Sequence, residues 1–111
     1  MSGSNIIKGT LDLLILKALP ADAKHGYAIS KYLRETSDGV FDVGESVLYP
    51  ALHRLEKQGL LESHWDRSES NRRAKFYCRT ALGHAQLAEA TAEWTRMSGA
   101  VDAVLADEPA S

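Results

Sequence analysis

The sequence predicts a mainly α-helical domain with one small β-hairpin, followed by a single long helix. Three observations predict it. Apolar residues recur at helical steps in separate stretches along the chain. Late in the chain, two short runs of strand character flank a polar, charged tip. The last stretch keeps a near-heptad spacing over residues 81–105, too far for so small a domain to cover. The expected organisation is one domain over 1–80, a C-terminal helix over 81–105 and a disordered tail over 106–111.

The first five residues are small and polar and are expected to fray. Ile7, Leu11, Leu14, Ile15 and Ala18, widened by Leu13, Leu16 and Leu19, predict a central helix over 6–19. Gly9 leaves a second start open, at Leu11 with Thr10 as cap. Pro20 is its expected stop, and 21–24 a loop. A second helix is expected over 26–36, with Tyr27, Ser30 and Arg34 on one side. Ser37-Asp38-Gly39 is a turn signal, and 40–43 alternates weakly enough to suggest a minimal strand.

The third helix organises the chain. Leu48, Leu52 and Leu55 recur at i, i+4 and i+7 beside Ala51, and Gly59 supplies a stop. Its other face carries Ser46, Tyr49, Pro50, His53, Arg54 and Lys57. Pro50 argues for a late start near Glu45 or Ser46 with a tight or irregular first turn, Ser46 being a candidate cap, because an interior proline costs about 3 kcal/mol. A strand over 60–66, a tip over 67–73 and a strand over 74–80 follow. Thr80 caps the last helix, whose stripe is Leu87, Ala90, Trp94, Met97, Val101 and Val104. Three helices and then a hairpin with a basic tip is the order of the winged helix, a relative of the helix-turn-helix. A third helix with hydroxyl, phenol, imidazole and cations outward suits the DNA major groove. The plainer alternative is a solvated face.

The net charge of −2 hides an asymmetry: residues 1–80 hold 12 basic and 10 acidic side chains, whereas 81–111 hold Arg96 and five acids. Between 67 and 79, Arg67, Arg72, Arg73, Lys75 and Arg79 face only Glu69. Such a local patch matters more for phosphate than the global sum. No basic start followed by an apolar core and no long apolar run is seen, so neither export nor a membrane span is expected. The lone Cys78 fits a reducing cytoplasm. The four histidines lack metal-ligand spacing, no phosphate-binding glycine loop is present and no nucleophilic set stands out. A cofactor, a metal and an enzyme are therefore not expected.

The tracts GTLDLLILKAL (9–19), HGYAIS (25–30), VLYPALHRLEKQGLL (47–61), RRAKFY (72–77) and T-x-x-G (80–83) resemble the PadR family of bacterial transcriptional regulators over about residues 8–105. NRRAKFY with a single C-terminal helix is most similar to a branch common in acidobacteria, whose genes often lie beside predicted transport permeases. The resemblance implies a homodimeric winged-helix repressor of a nearby transport or stress gene, joined through the last helix. It puts the motif tyrosine on Tyr49 and the wing's basic residues on Arg72, Arg73 and Lys75. Cys78, Arg79 and Ala85 depart from the branch's pattern.

The expected DNA-binding set is thus Ser46, Tyr49, His53, Arg54, Lys57, Arg72, Arg73 and Lys75, with Lys31 and Arg34 as further backbone contacts. Arg54 has a competing reading as a salt-bridge partner of Glu56 or Asp66, and Tyr49 as a core tyrosine. The dimer set is Leu87, Ala90, Trp94, Met97, Val101 and Val104. Trp94 and Met97 have a sharper reading as the lining for a small aromatic effector. The alternative function is a winged-helix module that binds protein.

Overall fold

The computed structural model describes residues 3–19 and 23–110. Its elements are α1 (Gly3–Ala18), β1 (Lys24–His25), α2 (Gly26–Thr36), α3 (Glu45–Lys57), β2 (Leu61–Arg67), β3 (Arg73–Arg79) and α4 (Ala81–Ala106). The three strands form one antiparallel sheet in the order β1-β3-β2. The fold is the winged helix expected, with the long final helix appended.

α1 starts well before either expected start, so Gly9 is interior and Thr10 is no cap. The expected stop at Pro20 lies outside the described residues. Leu11, Ile15, Leu16, Ala18 and Leu19 are buried at the centre of the core. They meet Ile29 and Leu33 of α2, Leu48, Ala51, Leu52 and Leu55 of α3, and Leu61, Tyr77 and Leu87. The leucine stripe of α3 is therefore its buried side.

Both α2 and α3 end in the same way. Past α2, Asp38 N–H bonds Glu35 O and Gly39 N–H bonds Arg34 O, with Asp38 at φ 55. Past α3, Gly59 N–H bonds Glu56 O and Leu60 N–H bonds Leu55 O, with Gly59 at φ 80. This paired closure satisfies the last carbonyls and turns the chain sharply.

Three local expectations fail for physical reasons. Residues 40–43 form no strand: Phe41 N–H is held by Ser37 Oγ and Val43 O by Ser30 Oγ, so side chains take the place of a ladder. Lys24, expected in a loop, joins His25 as the sheet's third strand, the two pairing with Tyr77 and Phe76. The cap of α3 is Gly44, not Ser46, so Pro50 lies inside the helix rather than at its edge. Gly44 O accepts from both Val47 and Leu48 N–H, tightening the first turn. The carbonyl that loses its donor to Pro50 belongs to Ser46, an exposed residue, where water can replace the bond.

Candidate nucleic-acid interface

With about 3.6 residues per turn, the side chains of α3 sort into a buried stripe, two flanks and an outer face. Ser46, His53 and Lys57 lie on the outer face and are exposed. Tyr49 stands toward α2 and is 37% exposed, so it is not a core tyrosine. Its ring crosses Gly26: a Cβ there would lie 2.6 Å from the Tyr49 hydroxyl. The glycine at the start of α2 thus makes room for the tyrosine of α3.

Arg54, expected on the outward face, is placed otherwise. It lies on the flank toward α1, half-buried, and its guanidinium pairs with Asp12 rather than facing outward. Nor does it pair with Glu56, since residues two apart on a helix point to different sides. Arg54 therefore ties α3 to α1 and leaves the outward set.

The opposite flank carries Glu56, which joins α3 to the hairpin. It accepts from Ser63 Oγ of β2 at 2.5 Å and from Lys75 Nζ of β3 at 3.3 Å. The Ser63 hydrogen bond, and then Lys75, hold the Glu56 carboxyl below its ordinary value. Lys75, expected to meet phosphate, is thus engaged inside the protein, with its ammonium also 5.6 Å from the Tyr77 ring. A carboxylate with a lowered pKa stabilises the fold above its unfolded pKa and loses that contribution as pH falls through the folded value. Glu56→Ala should cost about 1–3 kcal/mol at neutral pH, leaving two donors unmatched. In urea melts the gap from wild type should narrow as pH falls through the lowered folded value of this carboxyl.

Beyond that junction the hairpin runs out into solvent. Asn71 takes a left-handed φ of 60 at the tip, and Ser68 and Arg72 close it by backbone bonds. Arg72 and Arg73 are exposed there, and among the described residues no ion pair engages Arg72 or Lys57. Arg73 lies over the Trp65 ring, 4.4 Å from its centroid. Lys31 and Arg34 are exposed on α2 beside Glu35 and Asp42 at 4.0 and 3.9 Å, distances at which surface pairs hold loosely.

Two of the three branch departures make local contacts. Arg79 donates to Leu16 O and so closes the end of α1 from β3. The Cys78 thiol is half-buried with Glu62 3.6 Å away, and burial and then that carboxylate push its pKa up, which disfavours a thiolate. Among the described residues no cluster suits a metal ion.

α4 leaves the domain. Leu87, expected in the dimer stripe, is taken up in the core of its own chain at 9% exposure, whereas Trp94 is 46% and Val104 74% exposed. Against α1 the helix forms an open groove of about 470 Å³, lined in part by Leu13, Ala90, Trp94 and Met97. Among the described residues no helix is long and apolar enough to cross a membrane.

Spacing alone missed Asp12 as the partner of Arg54, and Trp65 as the partner of Arg73. The first joins residues 42 apart in sequence, and the second needs the strand register.

Solved structures share this arrangement. A transcriptional regulator from Clostridium thermocellum is 31% identical with a TM-score of 0.79, covering 88% of this chain and 95% of its own. A PadR family transcriptional regulator from Eggerthella lenta is 34% identical with a TM-score of 0.79, covering 94% and 88%. A PadR-like regulator from Bacillus cereus is 30% identical with a TM-score of 0.78, covering 94% and 99%. A Lysinibacillus sphaericus protein described as uncharacterized is 32% identical, over 92% of this chain and 94% of its own length. The family profile described as transcriptional regulator PadR-like matches residues 15–89. The chain belongs to the PadR-like family of transcriptional regulators, non-enzymatic proteins that bind DNA.

Proposed function

We propose that this DNA-binding regulator is a cytoplasmic homodimeric repressor of a nearby transport or stress gene, with α3 in the major groove and the hairpin on the adjoining backbone. The observation that carries the reading is the exposed Ser46, Tyr49, His53 and Lys57 face of α3, flanked by a basic hairpin fixed to the same helix through Glu56. Base edges are read by α3, and Arg72 and Arg73 meet phosphate. The unit over residues 1–80 binds DNA, and α4 joins two copies through Ala90, Trp94, Met97, Val101 and Val104. A small aromatic effector acts in the groove at Trp94 and Met97 and must bind two dimer arrangements unequally to release DNA.

The test is footprinting on the promoter upstream of the protein's own gene, followed by affinity measurements across salt. Affinity should fall steeply with salt through counterion release. Arg72→Ala should weaken binding to all duplexes alike and lower the salt slope by about one unit. Lys57→Ala should cost about 1–3 kcal/mol on the operator and relax preference at one position. The net charge of −2 and the acidic C-terminal third favour a second reading, a protein-binding module. Salt-insensitive affinity, unchanged in both variants, would replace the first reading with the second.

A further inference from the structure

Trp65 is a large apolar side chain left 56% exposed on the outer half of the hairpin. Antiparallel pairing sets it opposite Lys75 and sets Arg67 opposite Arg73, so Trp65 and Arg73 are diagonal neighbours on one sheet face. That face continues inward through Lys75 and Tyr77, and Lys75 touches Glu56 of α3. The cation–π contact of Arg73 with Trp65 therefore stands on the side of the hairpin that adjoins α3.

We infer that Trp65 is a positioning residue for DNA binding, holding the Arg73 guanidinium in the orientation in which it meets the duplex backbone. This rests on the DNA-binding arrangement proposed above. The physical case is specific to the pair. A guanidinium held over a ring by cation–π attraction uses none of its N–H donors on that contact, so they stay available to phosphate oxygens. Arginine otherwise loses much rotamer freedom on binding, and a contact formed beforehand reduces that loss. The neighbouring cations are held differently: Arg67 donates to Asn71 O at 3.2 Å and Lys75 is engaged with Glu56. Arg73 is thus the tip cation oriented by an exposed aromatic surface.

A backbone contact does not need the operator, so the probe is a mixed-sequence duplex of about 30 base pairs, titrated across salt. Trp65→Leu keeps apolar bulk but has no π face, and Trp65→Phe keeps a π face. Trp65→Leu should weaken binding about five- to tenfold and flatten the salt slope toward that of Arg73→Ala. Trp65→Phe should retain most of the affinity. In the Arg73→Ala background, Trp65→Leu should change nothing further. Full affinity in Trp65→Leu overturns the inference, as does a double variant whose loss is the product of the two single losses. Equal loss in Trp65→Leu and Trp65→Phe overturns it too. Thermal melts of each variant show whether the fold is kept. A wild-type chain with no salt-dependent duplex binding sinks the DNA-binding arrangement itself, a different failure from a wild type that binds while Trp65→Leu matches it.

Discussion

Gly83→Ala should destabilise the protein by more than about 3 kcal/mol, although alanine is the better helix former. Gly83 is in the first turn of α4, where the helix docks on the chain leaving α3. Thr80 N–H donates to Leu60 O at 3.1 Å, and Thr80 Oγ1 donates to Gly59 O at 2.7 Å. The same Oγ1 accepts from Gly83 N–H at 3.0 Å, so one threonine caps α4 and ties it to the turn after α3. This contact is close enough to leave no room for a Cβ at Gly83, which would lie 2.0 Å from Leu60 O and 2.9 Å from Arg79 Cγ. The nearer obstacle is backbone, fixed by its bond to Thr80, so the helix must lift. Helix propensity returns only about 1 kcal/mol. For a domain of this size the melting temperature should drop by at least about 10 °C. Gly99→Ala is the control, since a Cβ at Gly99 meets nothing within 4 Å and α4 gains propensity there. A Gly83→Ala chain that melts with wild type would show that the docking of α4 is loose.

The same contact shows what was legible in the sequence. Thr80 could be read as a cap from its type and position, whereas the closeness of Gly83 to Leu60 depends on a tertiary crossing. The buried side of α3 was legible because Leu48, Leu52 and Leu55 repeat at the helical period and packing follows that period. The two-residue β1 was not, since two residues carry no period and pair only because β3 passes beside them. The weak alternation of 40–43 misled because it reflects side-chain pinning by Ser30 and Ser37 rather than a strand. In the candidate interface, exposure of Ser46, His53 and Lys57 followed from the helical face alone. The fate of Arg54 did not, because Asp12 comes from an element 42 residues away. Lys75 and Arg73 alternate alike in the sequence, yet one is turned inward by Glu56 and the other outward over Trp65.

Trp94→Ala should loosen the proposed dimer by about 3–5 kcal/mol, roughly 10²- to 4 × 10³-fold in its dissociation constant. Within one chain α1 covers only part of Trp94, which remains 46% exposed with Met97 at 47% and Val101 at 48%. A helix of 26 residues is about 39 Å long, and its buried residues, Gly83 and Leu87, both lie in its first third. The stripe beyond them is contiguous and apolar, and a second copy of α4 is the simplest cover for it. Tryptophan contributes most at such a centre because it removes the largest area from water. Sedimentation should show wild type as a dimer at micromolar concentration and Trp94→Ala shifted toward monomer, with operator affinity falling alongside. A monomeric wild type at that concentration would remove α4 as the joint. Titration with planar aromatic compounds then separates packing from regulation. An effector at Trp94 should lower operator affinity in step with the change in tryptophan emission, and both responses should vanish in Trp94→Phe at ligand concentrations that saturate wild type. Emission changes that persist in Trp94→Phe report Trp65 instead, and would leave Trp94 with packing as its whole role.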